Sequence, residues 1–188
     1  MKKYLILNWW GWSSKDGWKS WLKIELESKA YEVFLPNLPN SNNPILEEQL
    51  DYINVYAWDF DEDWNIVGHS LWCQLALKFI EENKISNNNI ILVAPSYPWL
   101  AMELEEEKFW DKFFTLEKYY NTELNFEKIN KLNNNYTIFL SHDDPYINFD
   151  NAKKYYSQLK KVNFVEFKNK WHFNRTAWVN ELKEILDY

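Results

Sequence analysis

Ser70 stands in the run Gly68-His69-Ser70-Leu71-Trp72, where an apolar segment, Asn65–Gly68, gives way to one with helical spacing, Leu71–Ile80. A serine on a tight strand-to-helix turn lifts its Oγ above the sheet edge and sets the next backbone N–H beside it, which suits a nucleophile for acyl transfer. The run departs from Gly-x-Ser-x-Gly only at its last position. Such a serine needs a base, and the base needs an orienting carboxylate. The chain has 3 histidines. His69 lies inside the turn, where a neighbour of the serine points away from the substrate side. His142 follows the segment Tyr136–Leu140 but precedes the nearest acids, Asp143 and Asp144, which Pro145 holds in a turn. His172 follows the segment Val162–Phe167 on a short loop. Taken singly, Gly-x-Ser reads as a helix cap and Asp-Asp-Pro as ordinary turn chemistry.

The elements that must position these residues alternate in type. Tyr4–Leu7, Tyr31–Leu35, Asn65–Gly68, Ile90–Ala94, Tyr136–Leu140 and Val162–Phe167 read as short buried strands. Helical spacing appears in Trp18–Ser28, in a segment from Pro44 to Tyr56, and in Leu71–Ile80, Asn151–Lys160 and Thr176–Leu186. This alternation predicts an α/β fold with a mostly parallel sheet, helices on both faces and right-handed crossovers. The serine, the acids and His172 then all fall at C-terminal ends of strands, where open α/β sheets place their sites. Their chain order, serine, acid, histidine, is that of α/β-hydrolases. Residues 96–135 contain no strand signal and read as a short helical insertion after the strand at 90–94, either a lid over the ligand crevice or a plain packing helix pair. The aromatic set Tyr97, Trp99, Phe109, Trp110 and Phe113 reads equally as the lining of an acyl pocket or as core.

Composition bounds the rest. The 188 residues suit one domain, spanning 1–188, and are 46% hydrophobic and 26% charged, a globular profile. A net charge of −7 argues against a nucleic-acid surface. No apolar run approaches the roughly 20 residues of a membrane span. The apolar stretch after Met1-Lys2-Lys3 is too short for a signal peptide and lacks a small-residue cleavage site. With Cys73 the lone cysteine, no internal disulfide can form, which points to the cytoplasm. Neither zinc-ligand spacing nor a glycine-rich phosphate loop is present, so no cofactor or metal is implied.

The chain resembles the small serine hydrolases related to retinoblastoma-binding protein 9, compact α/β-hydrolases widespread in bacteria. The resemblance runs nearly end to end. It rests on Trp18-Lys19-Ser20-Trp21-Leu22, Pro36-Asn37-Leu38-Pro39-Asn40, Gly68-His69-Ser70-Leu71, Asp143-Asp144-Pro145-Tyr146 and His172-Phe173-Asn174. It implies Ser70 as nucleophile, Asp144 rather than Asp143 as the acid, and His172 as the base. It also implies an oxyanion hole formed by the Leu71 amide and an amide near Trp9 or Trp10. The expected activity is hydrolysis of small carboxylic esters, or amides, through an acyl-enzyme. A protein partner is the other expectation, because the eukaryotic member is also described as a binding protein.

The departures from the family share one form. Trp72 replaces the glycine two places after the nucleophile, and an indole there is expected to clash with the elbow or reshape it. That departure supports the competing reading of a catalytically impaired interaction module. Tryptophan also replaces family glycines at Trp9, Trp171 and, by the same pattern, Trp12 and Trp178. The chain holds 3 glycines and 12 tryptophans, where average usage would give about 13 glycines. UGA is read as glycine in one bacterial code, and a gene of that code read with another table yields tryptophan at those positions. The 21 basic residues include one arginine, Arg175, and this lysine bias fits an AT-rich genome. Trp18 and Trp21 match family tryptophans.

Overall fold

The computed structural model describes residues 1–7, 17–55, 63–98, 119, 122–174 and 178–188. Six strands form one sheet: β1 (Lys3–Leu7), β2 (Glu32–Phe34), β3 (Trp64–His69), β4 (Asn89–Val93), β5 (Asn135–Ser141) and β6 (Val162–Phe167). Their order across the sheet is β2-β1-β3-β4-β5-β6, and every pairing is parallel. The helices are α1 (Gly17–Ser28), α2 (Leu46–Asn54), α3 (Trp72–Asn83), α4 (Phe126–Lys131) and α5 (Phe149–Tyr156). The fold is that of the α/β-hydrolases.

A parallel sheet is covered on both faces, so its inner strands read as unbroken apolar runs. β3 is buried along its whole length, as are Ile90–Val93 of β4 and Tyr136–Ser141 of β5. Edge strand β6 has no fully buried position, and its Glu166 carboxylate accepts from Lys153 Nζ on α5 at 2.7 Å, a charge set on an edge strand. The chain steps from β1 outward to β2, then back across β1 to β3 and on in the opposite direction. Right-handed crossovers therefore put α1 on one face, and α2 and α3 on the other.

Register is pinned at the end of the sheet away from the candidate site. Asn65, Asn89 and Asn135 stand side by side on β3, β4 and β5. Asn135 Nδ2 donates to Asn89 Oδ1 at 3.2 Å, Asn89 Nδ2 to Asn65 Oδ1 at 3.1 Å, and Asn65 Nδ2 to the Lys3 carbonyl at 3.2 Å. A one-residue slip would break this ladder and invert both buried faces of a strand.

Strand positions follow the apolar runs to within a residue or two. α5 begins at Phe149, ahead of the expected Asn151, because Asn148 caps it: Asn148 Oδ1 accepts from the Asn151 amide at 3.0 Å. The helix expected over Thr176–Leu186 is not formed as such. Residues 175–177 lie outside the described set, Trp178 has φ +60°, and only a 3₁₀ turn, Lys183–Asp187, follows. A positive φ cannot sit inside a right-handed helix. Within the expected lid, residues 99–118 and 120–121 lie outside the described residues, while α4 closes its far end. Among the described residues no helix is long and apolar enough to cross a membrane.

Candidate active site

The sheet reverses its winding between β1 and β3, and crevices for ligands open at the carboxyl ends of strands on either side of such a switch point. Ser70 follows β3 at that place. Its φ is +57°, a conformation that a non-glycine residue holds only when its surroundings over-determine it. Three backbone bonds do so. The Ser70 amide donates to Val93 O at 2.9 Å, and the Ser70 carbonyl accepts from the amides of Cys73 at 3.1 Å and Ser96 at 3.2 Å. The turn also needs a small residue at position 68. A Cβ on Gly68 would lie 3.0 Å from Cys73 Cα and 3.1 Å from the Trp72 carbonyl oxygen, both backbone atoms of the incoming helix. Leu71 precedes the first turn of α3, where amides lack intrahelical partners and the helix dipole is positive.

His172 and Asp144 complete a hydrogen-bonded line. His172 Nε2 lies 2.9 Å from Ser70 Oγ, and His172 Nδ1 lies 2.8 Å from Asp144 Oδ2. Asp144 is itself fixed by its loop, since Oδ1 accepts from the amides of Tyr146 at 2.9 Å and Ile147 at 3.0 Å. The His172 and Asp144 side chains are each 2% exposed. A carboxylate oxygen only accepts, so Nδ1 carries the proton and Nε2 offers its lone pair to the serine hydroxyl. The Tyr146 ring meets the imidazole edge-on, with centroids 5.1 Å apart.

The remaining candidates occupy other places. Asp143 faces away from the imidazole: its Oδ1 accepts from Ser141 Oγ and from the Trp171 amide, the latter at 2.9 Å. Partial burial raises its pKa, but hydrogen bonds from Ser141 and nearby amides outweigh that, and the carboxyl lies below its usual range. His142 is at the surface, stacked on Phe149 with its Nε2 3.4 Å from Glu166. Cys73 is buried under the elbow, and burial pushes its thiol well above the usual value, unlike a reactive cysteine. Tyr97 is buried. Trp9, Trp10 and Trp12, with the second oxyanion donor expected there, and Trp99, Phe109, Trp110 and Phe113 lie outside the described residues. Among the described residues no cluster of three or more His, Cys, Asp or Glu could hold a metal ion.

Trp72 does not clash, contrary to the expectation for an indole at this position. Its side chain is fully buried, and its Nε1 donates to Gln49 Oε1 at 2.9 Å. Tyr119 OH donates to the same oxygen, and Gln49 Nε2 donates to Pro39 O at 2.8 Å. The indole is directed toward α2, away from the serine, and the elbow keeps its geometry.

Two residues of α1 with no assigned role in the sequence reading brace the turn that carries His172. Trp18 Nε1 donates to the Phe173 carbonyl at 2.8 Å. Lys19 Nζ lies 3.3 Å from His69 Nδ1, and His69 Nε2 lies 3.0 Å from the His172 carbonyl. Neither residue carried a signal in the sequence: only the fold brings this part of α1 beside the last loop.

Comparison with known proteins agrees with this architecture. YdeN of Bacillus subtilis (strain 168) is 27% identical over 191 residues, covering 99% of this chain and 93% of YdeN. The crystal structure of the ydeN gene product superposes with a TM-score of 0.85 at 24% identity, over 100% of this chain and 96% of that one. Est1E of Butyrivibrio proteoclasticus, solved with ferulic acid bound, gives a TM-score of 0.73 at 13% identity, covering 100% and 89% of the two chains. The meta-cleavage product hydrolase CumD of Pseudomonas fluorescens IP01 gives 0.68 at 14%, covering 100% and 90%. The serine hydrolase family model matches residues 4–188, and the chain belongs to that family.

Proposed function

We propose that this protein hydrolyses small carboxylic esters, and less readily amides, through an acyl-enzyme on Ser70. The observation that carries this is the continuous line Ser70 Oγ, His172 Nε2, His172 Nδ1, Asp144 Oδ2, with spacings of 2.9 and 2.8 Å on either side of the ring. As Ser70 Oγ attacks the substrate carbonyl, its proton passes to His172 Nε2, and the carbonyl oxygen becomes an oxyanion. Asp144 holds the ring in the Nδ1–H form and stabilises the imidazolium. The Leu71 amide donates to the oxyanion, aided by the positive end of α3. Nε2 then returns the proton to the departing alcohol or amine. Water, activated by the same nitrogen, releases the acid and restores Ser70.

No cofactor enters this scheme. A small ester would enter at the switch-point crevice, and the net charge of −7 argues against a nucleic-acid partner. The cytoplasmic placement rests on the lone, buried Cys73. The narrower likeness to the group around retinoblastoma-binding protein 9 rests on the sequence motifs alone. The competing reading, an impaired hydrolase fold serving as an interaction module, draws its support from Trp72 and the other lost glycines; the burial and hydrogen bond of Trp72 weigh against the first of these. Turnover of a short-chain p-nitrophenyl ester tests the proposal. Ser70→Ala should reduce kcat by at least about 10³-fold without loss of folding, and unchanged turnover in that variant overturns it.

A further inference from the structure

His172 rides on an irregular turn, residues 168–174, with no helix or strand to fix it. The residues on either side of it, Trp171 and Phe173, have φ of +48° and +49°. A turn strained on both sides of the base keeps its shape only if outside groups hold its backbone. Such groups bind it at several points. The Lys170 amide donates to Ser141 Oγ at 3.0 Å, the Trp171 amide donates to Asp143, the Phe173 carbonyl accepts from Trp18, and the His172 carbonyl accepts from His69. Only the last depends on which tautomer its donor adopts.

We propose that Lys19 is a positioning residue for the base, acting through His69. The Lys19 ammonium has only protons to offer, so His69 Nδ1 facing it must be the acceptor and Nε2 must carry the hydrogen. That hydrogen is the one donated to the His172 carbonyl. In the other tautomer two lone pairs would face each other across 3.0 Å, and the turn would lose its hold beside the catalytic ring. The arrangement is enclosed: Lys19 is 5% exposed and His69 0%. Lys19 also lies 5.2 Å from the centre of the Trp18 ring, so the two braces from α1 support one another.

This inference rests on the hydrolase reading, and its test separates the two. Labelling by a fluorophosphonate probe measures the serine–histidine step in one turnover. Lys19→Met should lower the maximal labelling rate about tenfold with half-saturation by probe unchanged, because the ring is displaced while the binding crevice is intact. Lys19 makes other contacts, so coupling is the decisive quantity. In a His69→Gln background the amide NH₂ supplies the donor whatever Lys19 does, and Lys19→Met should then cost less than twofold. An equal cost in both backgrounds overturns the proposal. ¹⁵N shifts of the His69 ring supply a readout independent of activity: a proton on Nε2 in the native chain and a mixed tautomer in Lys19→Met are expected. A proton on Nδ1 in the native chain overturns the proposal, whether or not the probe reacts. A folded native chain that takes no probe instead refutes the hydrolase reading.

A different observation carries a second inference. Trp171 and Trp178 both occupy positive φ, +48° and +60°, and are 40% and 87% exposed. A bulky residue at positive φ is a true outlier, and these two indoles gain little burial to offset the strain. Glycine adopts this conformation without steric cost. We infer that both positions are encoded by UGA and are glycine in the chain its host makes. Trp72 stands apart, since it lies within α3 and is buried and hydrogen-bonded. Sequencing the gene and mass-mapping peptides over 169–183 from the host protein test this. UGA codons with glycine in both peptides are expected; UGG at either position, or tryptophan in either peptide, overturns it.

Discussion

Ser70 and His172, the proposed nucleophile and base, are held by two unlike kinds of structure. Ser70 is fixed by backbone: a central strand, a buried helix, and main-chain bonds to Val93, Cys73 and Ser96 in which no side chain takes part. His172 is fixed by side chains reaching in from Asp143, Trp18 and His69, on three other parts of the chain. The first arrangement has no side-chain hydrogen bond to lose and yields only where a new atom meets the backbone, whereas the second can be loosened one hydrogen bond at a time. Changes near Ser70 should therefore act abruptly, through chemistry or through folding. Changes around His172 should act in graded steps.

Beyond loss of Ser70 itself, the largest effect is expected at Asp144. Asp144→Asn would present an amide N–H or a neutral oxygen to His172 Nδ1, favour the wrong tautomer, and reduce kcat by about 10³- to 10⁴-fold with little change in melting temperature. Steady-state kinetics and a thermal melt separate the two effects. Asp143→Asn, in the neighbouring residue, should cost less than about tenfold, because an amide oxygen can still accept from the Trp171 amide.

On the backbone side, Gly68→Ala should destabilise the fold by about 1–3 kcal/mol, since the new methyl meets backbone atoms of α3 that cannot move independently. Chemical denaturation measures this, and a neutral result would mean that strand and helix can separate at no cost. On the side-chain side, Trp18→Phe keeps the packing but removes the bond to the Phe173 carbonyl. It should lower kcat about three- to tenfold and cost about 1 kcal/mol of stability.

The buried His69 gives the comparison a pH axis. Burial, then the nearby Lys19 and His172, push its pKa well below the ordinary histidine value of 6.5, against a smaller opposing effect from the His172 carbonyl. The unfolded chain therefore binds a proton at a pH where the folded chain does not. The stability associated with neutral His69 is complete above pH 6.5 and declines as pH falls through and below it, by up to about 1.4 kcal/mol per pH unit. His69→Gln should flatten that part of the stability curve, as denaturation at a series of pH values would show.

The same division explains what could be read from the chain alone. Unbroken apolar runs such as Ile90–Val93 mark strands buried on both faces, and their alternation with amphipathic segments yields the parallel sheet. Gly68 and Ser70 at a strand-to-helix junction locate the elbow, because the backbone there needs residues of these sizes. Of the residues singled out for chemistry, His172 lies within hydrogen-bond distance of both Ser70 and Asp144. The braces were not legible. Nothing in the spacing of Trp18 or Lys19 says that a turn 155 residues on from Trp18 will pass beside it. Sequence reasoning went astray at Trp72, where a volume argument predicted a clash. Gln49, on another helix, offers an acceptor that the argument could not foresee. It also went astray at the C-terminus, where the helical spacing of 176–186 is interrupted by the positive φ of Trp178.

The central claim is that Ser70 is an activated nucleophile, and intact-mass analysis after exposure to a fluorophosphonate probe tests it most directly. The account predicts one adduct, mapped to Ser70, absent in Ser70→Ala and strongly slowed in His172→Ala. A folded chain that gains no mass, or gains it on a residue other than Ser70, would contradict it.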